Sequence, residues 1–194
     1  MKLRLLLWDN CNRSCPGCCN KDWDLKALPV CEDFSPYKEI LLTGGEPLLY
    51  PYLTRLIISD IRETSNSRIF VYTAKVDNLK EALRTLNDLD GMTVTLHTQE
   101  DVKPFLEFAR NINYIHYSLR LNVFKGIVIN RVPGWVIKKN ITWIPNCPLP
   151  SDFVRKHLLE GIDLIELSVT WPNEITNEGF PIVISYIYPQ RRST

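Results

Sequence analysis

The chain has 194 residues, of which 45% are hydrophobic and 23% charged, a composition typical of one compact globular domain with a sizeable core. This composition excludes disordered and fibrous proteins. The 23 Lys and Arg residues nearly balance the 22 Asp and Glu residues, so a net charge of +1 gives no direct sign of nucleic-acid binding. The first apolar run is shorter than a signal-peptide core, and no stretch is long enough to cross a bilayer. We therefore expect a soluble, cytoplasmic protein that binds no membrane.

Strand-like and helix-like segments alternate along the chain without an internal repeat or an obvious linker. Strands are predicted at residues 3–8, 40–43, 69–72, 92–96, 115–123 and 141–144. Helices are predicted after Pro51, around residues 79–86 and from Asp101 onward, because apolar residues recur there at helical spacing. This alternation is typical of a parallel sheet with helices packed outside it.

The remaining segments show weaker patterns. Residues 124–140 contain Gly126, Pro133 and Gly134 without a helical stripe, and are predicted to form an irregular or hairpin insertion. After them we predict a helix at 152–159 and strands at 164–169 and 182–187.

The chain is too short for a complete eight-stranded barrel. The predicted fold is α/β, a partial, open TIM-like barrel of about six parallel strands with outer helices and a β-rich C-terminal extension. It forms a single domain over 1–194, in which 1–146 is the barrel core and 147–194 the extension.

Four of the six cysteines lie between Cys11 and Cys19, a spacing that favours metal binding over a disulfide framework. Cys11, Cys15 and Cys18 follow the first predicted strand directly. Three closely spaced thiolates suit an iron–sulfur cluster, and a fourth iron without a protein ligand leaves an open coordination position. Zinc prefers four protein ligands, and ligation by the adjacent residues Cys18 and Cys19 together is awkward.

A second motif, Thr43-Gly44-Gly45-Glu46-Pro47, follows the second predicted strand. Together with the segment from Cys11 to Cys18, which reads Cys-Asn-Arg-Ser-Cys-Pro-Gly-Cys, it resembles the radical S-adenosylmethionine superfamily. The resemblance implies a [4Fe–4S] cluster on Cys11, Cys15 and Cys18 that binds S-adenosylmethionine. It further implies reductive cleavage of this cofactor to methionine and a 5′-deoxyadenosyl radical, which abstracts hydrogen from a substrate.

Seven residues are predicted to contact S-adenosylmethionine or the substrate. The glycines would let the backbone approach the methionine part of the cofactor, and Glu46 or nearby carbonyls would accept from its ammonium group. The others lie at or near the carboxyl ends of later strands, where ligands bind parallel sheets. The full set is Gly44, Gly45, Glu46, Pro47, Thr73, His97 and Arg120. Arg120 would pair with a carboxylate or phosphate if it faces the barrel interior, and would be merely solvated if it faces outward.

Three hypotheses remain open for the function. The first is a radical enzyme acting on a small-molecule or nucleotide-like substrate. The second is a glycyl-radical enzyme activase acting on a partner protein, because the string Cys15-Pro16-Gly17-Cys18-Cys19-Asn20-Lys21 is locally similar to anaerobic ribonucleotide reductase activases. The third is a non-catalytic electron-transfer or zinc-binding protein. For the radical enzymes, the resemblance implies a low-potential flavodoxin or ferredoxin as reductant.

The cluster loop departs from many superfamily members at Gly17, where an aromatic residue usually precedes the third cysteine, so adenine contacts must come from elsewhere. Cys19 is expected to be a bystander. Cys31 and Cys147 are isolated in sequence and are expected to be buried apolar thiols, with a smaller chance that Cys147 meets the substrate.

Overall fold

A computed structural model describes residues 1–15, 18, 21, 24–31, 33–113, 116–141 and 153–155, all of which lie in one compact unit, Met1–Glu160. The strands are β1 (Lys2–Leu6), β2 (Glu39–Thr43), β3 (Arg68–Thr73), β4 (Gly91–Leu96), β5 (Ser118–Phe124), β6 (Ile137–Ile141) and β7 (Phe153–Arg155). The helices are α1 (Pro51–Thr64), α2 (Leu79–Asn87) and α3 (Val102–Asn111). Short 3-10 turns occur at Leu25–Ala27, Pro47–Leu49 and Gln99–Asp101.

The seven strands form one sheet in the order β6-β5-β4-β3-β2-β1-β7, and every pairing is parallel. Each of the helices α1, α2 and α3 connects two neighbouring strands in the same direction across the sheet. Crossovers between parallel strands are almost always right-handed, so three that run in the same direction place their helices on one side of the sheet. In agreement, α1 contacts α2 and α2 contacts α3. The predicted α/β class, with a parallel sheet and outer helices, is confirmed.

The core lies between the helices and one face of the sheet. On β5, Leu119, Leu121 and Val123 are buried, and the residues between them are half-buried or exposed. The helices contribute Ile58 of α1 and Phe105 of α3, both almost fully buried. This alternation arises because successive side chains on a strand point to opposite faces.

The opposite face is called here the uncovered face, since α1, α2 and α3 do not pack on it. Near β1 it is closed by a small cluster in which Leu6 and Leu28 are buried and Leu25 packs against them. Farther along, Tyr72 on β3 is 40% exposed and Arg120 on β5 is exposed. The uncovered face is therefore most open on its β3 to β6 side.

Two predictions need correction. The sixth strand includes Ile137–Ile141, so residues 137–140 belong to the sheet and not to an irregular insertion, and of the strand predicted at 141–144 only Ile141 lies within the described residues. Four of its five residues are exposed, so this edge strand shows no hydrophobic alternation. The helix predicted at 152–159 is contradicted by β7, whose three residues pair with Arg4 to Leu6 on the other edge of the sheet.

Other boundaries shift by a few residues. The first strand is Lys2–Leu6 where 3–8 was predicted, and the fifth begins at Ser118 where 115 was predicted. Residues 125–136 do connect β5 to β6 without regular structure. The Gln99 side chain holds this connection, donating to the Val128 carbonyl and accepting from its N–H, both at 3.0 Å.

The strands predicted at 164–169 and 182–187, and the residues Cys19 and Cys147, lie outside the described residues. Cys31 is 8% exposed, as expected for a buried thiol. The division into a core and an extension stays a prediction. Among the described helices, none has the length and apolar character that crossing a bilayer requires.

Candidate functional site

Two loops meet at the carboxyl ends of β1 and β2. The Glu46 backbone N–H donates to the Asn10 carbonyl at 2.9 Å, and the Trp8 indole N–H donates to the Glu46 carbonyl at 3.0 Å. The Asn10 side chain also donates to the Tyr50 hydroxyl at 3.1 Å. The turn after β2 is thereby fastened to the residues that directly precede Cys11.

The two glycines of this turn permit its close contact with the first loop. Gly44 and Gly45 have φ angles of +84° and +45°, in the region that favours glycine. A Cβ on Gly44 would lie 1.8 Å from Leu6 Cδ1, and one on Gly45 would lie 2.0 Å from the Asn10 carbonyl oxygen. The glycines are therefore required for packing within the protein.

The Glu46 carboxylate is buried, with only 2% of the residue exposed. Its oxygens accept from the Thr73 hydroxyl at 2.5 Å, from the Ala74 N–H at 2.7 Å and from the Leu48 N–H at 2.8 Å. Burial raises the pKa of Glu46 above its ordinary value, although these three hydrogen bonds act to lower it. The Glu46 side chain thus ties the turn after β2 to the end of β3.

The three predicted ligand cysteines lie in one partly exposed loop, with Cys11 exposed and Cys15 and Cys18 half-buried. Burial raises the pKa of Cys15, and the neighbouring thiols of Cys18 and Cys11 raise it further. Burial likewise raises the pKa of Cys11, a hydrogen bond from the Arg13 N–H opposes this, and the charges of Glu46 and Cys18 add to the rise. The three sulfurs therefore share one electrostatic neighbourhood.

Among the described residues, no three His, Cys, Asp or Glu side chains stand in a metal-binding arrangement. The donor types still suit iron–sulfur chemistry, since clusters of this kind are held by cysteine thiolates. The loop is also compact, with the Cys18 N–H donating to the Cys15 carbonyl and the Lys21 N–H donating to the Cys18 carbonyl. The residues present fit a cluster by the chemistry of their donor atoms.

Arg13, between the first two cysteines, is anchored to the start of α3. Its guanidinium donates to both carboxylate oxygens of Asp101, at 3.0 and 2.5 Å, and to the Ala74 carbonyl at 3.3 Å. Asp101 also accepts from the backbone N–H groups of His97 and Thr98. A bidentate pair of this kind fixes orientation as well as position. Asp101 was missed by the sequence analysis, because nothing in its local pattern shows a contact 88 residues away.

The three predicted site residues on or directly after later strands, Thr73, His97 and Arg120, do not share one environment. Thr73 is 4% exposed and contacts Glu46. His97 stacks on Phe124 with ring centroids 5.0 Å apart, and burial, followed by the charge of Arg13, lowers its pKa. Arg120 is exposed on the uncovered face, away from this cluster of contacts.

A cleft of about 220 Å³ lies beside the cysteine loop. Its lining includes Asn12 and Arg13 from that loop, Lys75 and Asp77 after β3, and Asp101 before α3. The cleft is lined by charges of both signs, Arg13 and Lys75 against Asp77, Glu100 and Asp101, and Lys75 pairs with Asp77 at 2.9 Å. This pairing leaves the cleft without a single-sign field to select a charged ligand.

No protein-family model, no curated protein and no solved structure matches this chain.

Proposed function

We propose that this chain is a radical S-adenosylmethionine enzyme built on an open, partial barrel, with a [4Fe–4S] cluster held by Cys11, Cys15 and Cys18. One observation carries the proposal: the turn that begins at Gly44 packs against the residues directly before Cys11. The turn of the second motif is thus hydrogen-bonded to Asn10, the residue next to the first motif, at a distance that only glycine permits.

The chain's own groups would prepare the site for this cofactor. The cysteines would bind as thiolates, so their protons would be released on assembly. Arg13, held by Asp101, would keep the segment between Cys11 and Cys15 in one orientation. The chemistry that such a cluster supplies when bound is the reductive cleavage of S-adenosylmethionine to methionine and a 5′-deoxyadenosyl radical.

The turn after β2 would hold the methionine part of S-adenosylmethionine. The carboxylate of Glu46 already accepts three hydrogen bonds inside the protein. The ammonium group of the cofactor would therefore meet the backbone carbonyls of Gly44 and Gly45 in preference to that side chain. The reductant proposed is a low-potential flavodoxin or ferredoxin in the cytoplasm.

The proposal is tested by anaerobic reconstitution with iron and sulfide, with iron content and the electron paramagnetic resonance spectrum as first readouts. Dithionite and S-adenosylmethionine are then added, and 5′-deoxyadenosine is measured by chromatography. We expect the wild type to bind about four irons and form 5′-deoxyadenosine, and Cys15→Ala to do neither. Cys31→Ser is the matched control, because Cys31 is buried outside the predicted ligand set and serine keeps a donor to the Asp33 carbonyl.

Three results would contradict the proposal. The wild type could bind no iron, Cys15→Ala could keep its full iron content, or Cys31→Ser could lose as much iron as Cys15→Ala. A stable cluster without any cleavage, alone or with a candidate glycyl-radical protein, would favour an electron-transfer protein instead.

A further inference from the structure

The uncovered face carries two exposed cations on neighbouring strands. Arg120 lies on β5 and Lys139 on β6, and neither makes an ion pair or hydrogen bond with any residue that the structure describes. The parallel register pairs Asn122 with Lys139, two residues beyond Arg120. Strand spacing and rise therefore put the Cα atoms of the two cations about 8 Å apart. Both side chains can reach a single anionic group.

The charge of this part of the face is one-sided. On β3 to β6 the residues that share the uncovered face are Arg68, Phe70, Tyr72, Gly91, Thr93, Thr95, Ser118, Arg120, Asn122, Phe124, Ile137, Lys139 and Ile141. None of them is acidic. Arg68 pairs with Glu39 on β2, whereas Arg120 and Lys139 have no such partner among the described residues. Among the described strand residues of this part of the face the net charge is positive, although the whole chain is nearly neutral, so the ligand that complements them is an anion.

An exposed aromatic ring lies in the same row of the sheet. The register places Tyr72, Thr93 and Arg120 side by side on β3, β4 and β5. The Cα atoms of Tyr72 and Arg120 are therefore about 10 Å apart across the sheet, which is two strand spacings. Tyr72 is 40% exposed, so its ring is accessible to a ligand on this face. A ring beside cations is suited to a ligand that joins an aromatic base to phosphate.

We infer that the uncovered face binds a nucleoside phosphate, with Arg120 and Lys139 on its phosphate oxygens and the Tyr72 ring against its base. The planar guanidinium matches phosphate geometry, and the ammonium acts as a second point charge. Two cations are too few for a nucleic-acid strand, which is held by many phosphate contacts. The inference rests on the proposed function, in that the nucleotide is assigned as the substrate of the radical reaction.

The test measures binding calorimetrically at low ionic strength, on the full chain without added iron. The ligands are adenosine and uridine triphosphates, inorganic tripolyphosphate and a hexaglutamate peptide. Arg120→Gln and Lys139→Gln are each expected to weaken triphosphate binding by about tenfold or more, the range for a hydrogen bond to a charged group. Tyr72→Leu should weaken nucleotide binding and leave tripolyphosphate binding unchanged.

The matched control is the double variant Lys80→Gln/Lys103→Gln. It removes two exposed cations from α2 and α3, on the other side of the sheet. Its nucleotide affinity should stay within about twofold of the wild type, because distant surface charges act only through a screened field.

Several results would overturn the inference. They are unchanged nucleotide affinity in Arg120→Gln/Lys139→Gln, an equal loss in the helix-side control, no effect of Tyr72→Leu, or tighter binding of hexaglutamate than of either nucleotide. The outcome is separable from that of the proposed function, since binding is measured without a cluster. Nucleotide binding without 5′-deoxyadenosine formation would contradict the radical chemistry and still support the nucleotide site. Formation of 5′-deoxyadenosine without nucleotide binding would contradict only the nucleotide site.

Discussion

Replacing Asp101 by Asn should weaken the anchor of the cysteine loop, because Asn keeps the shape of the side chain and removes its charge. The Asn oxygen can still accept from the backbone N–H groups of His97 and Thr98. The bidentate pair with Arg13 is the interaction that is lost.

The size of the effect follows from the burial of the pair. The Arg13 and Asp101 side chains are 23% and 11% exposed, which is intermediate between a surface pair and a buried one. Surface pairs contribute up to about 1 kcal/mol, and removal of one partner of a buried pair costs about 3 to 5 kcal/mol. We expect Asp101→Asn to lower the free energy of unfolding by about 2 kcal/mol, measured by urea denaturation of the metal-free protein.

The loss should depend on pH. Burial acts to raise the pKa of Asp101, but hydrogen bonds from Arg13, Thr98 and His97 outweigh it and hold this pKa below its ordinary value. The stabilisation is therefore complete above the unfolded-state pKa, about 3.9, and is lost as the pH falls through the lower folded-state pKa. The difference between wild type and variant should be largest near neutral pH and shrink on acidification below about pH 4.

A matched control and a double-mutant cycle make this prediction refutable. Asp77→Asn removes the charge of a pair whose Asp77 side chain is 59% exposed, and should cost less than about 0.5 kcal/mol. Arg13→Gln combined with Asp101→Asn should show a coupling energy of at least about 1 kcal/mol. A pH-independent difference, a coupling near zero, or equal losses for Asp77→Asn and Asp101→Asn would refute the reasoning.

Two further predictions concern the turn after β2. Gly45→Ala should lower the free energy of unfolding by at least about 2 kcal/mol more than Gly126→Ala, because both glycines have positive φ but only at Gly45 would the new Cβ meet backbone within 4 Å. Equal losses in urea denaturation would contradict this. Thr73→Val should cost about 1.5 to 3 kcal/mol, since it removes a donor to the buried Glu46 carboxylate. Thr73→Ser keeps the hydroxyl, and a loss in the serine variant as large as in the valine variant would rule out the hydrogen bond as the cause.

Sequence patterns were informative where one face of an element is buried and the other is not. The strands at Ile40, Ile69 and Met92 and the helix that buries Phe105 and Phe108 were predictable, because hydrophobic spacing records burial. The edge strand Ile137–Ile141 could not be predicted in this way, since nearly all of its residues are exposed and its extended conformation depends on pairing with β5.

Some features of the candidate site could likewise be predicted from the sequence, and others could not. The sequence by itself determined the spacing of Cys11, Cys15 and Cys18 and the presence of the glycine turn, because ligand type and backbone freedom are properties of the residues themselves. Only the tertiary structure decided that Arg13 is held by Asp101, and that Arg120 shares an open face with other cations. The physical reason is that such contacts form where strand ends and sheet rows meet, and the register between distant segments has no local signature in the chain.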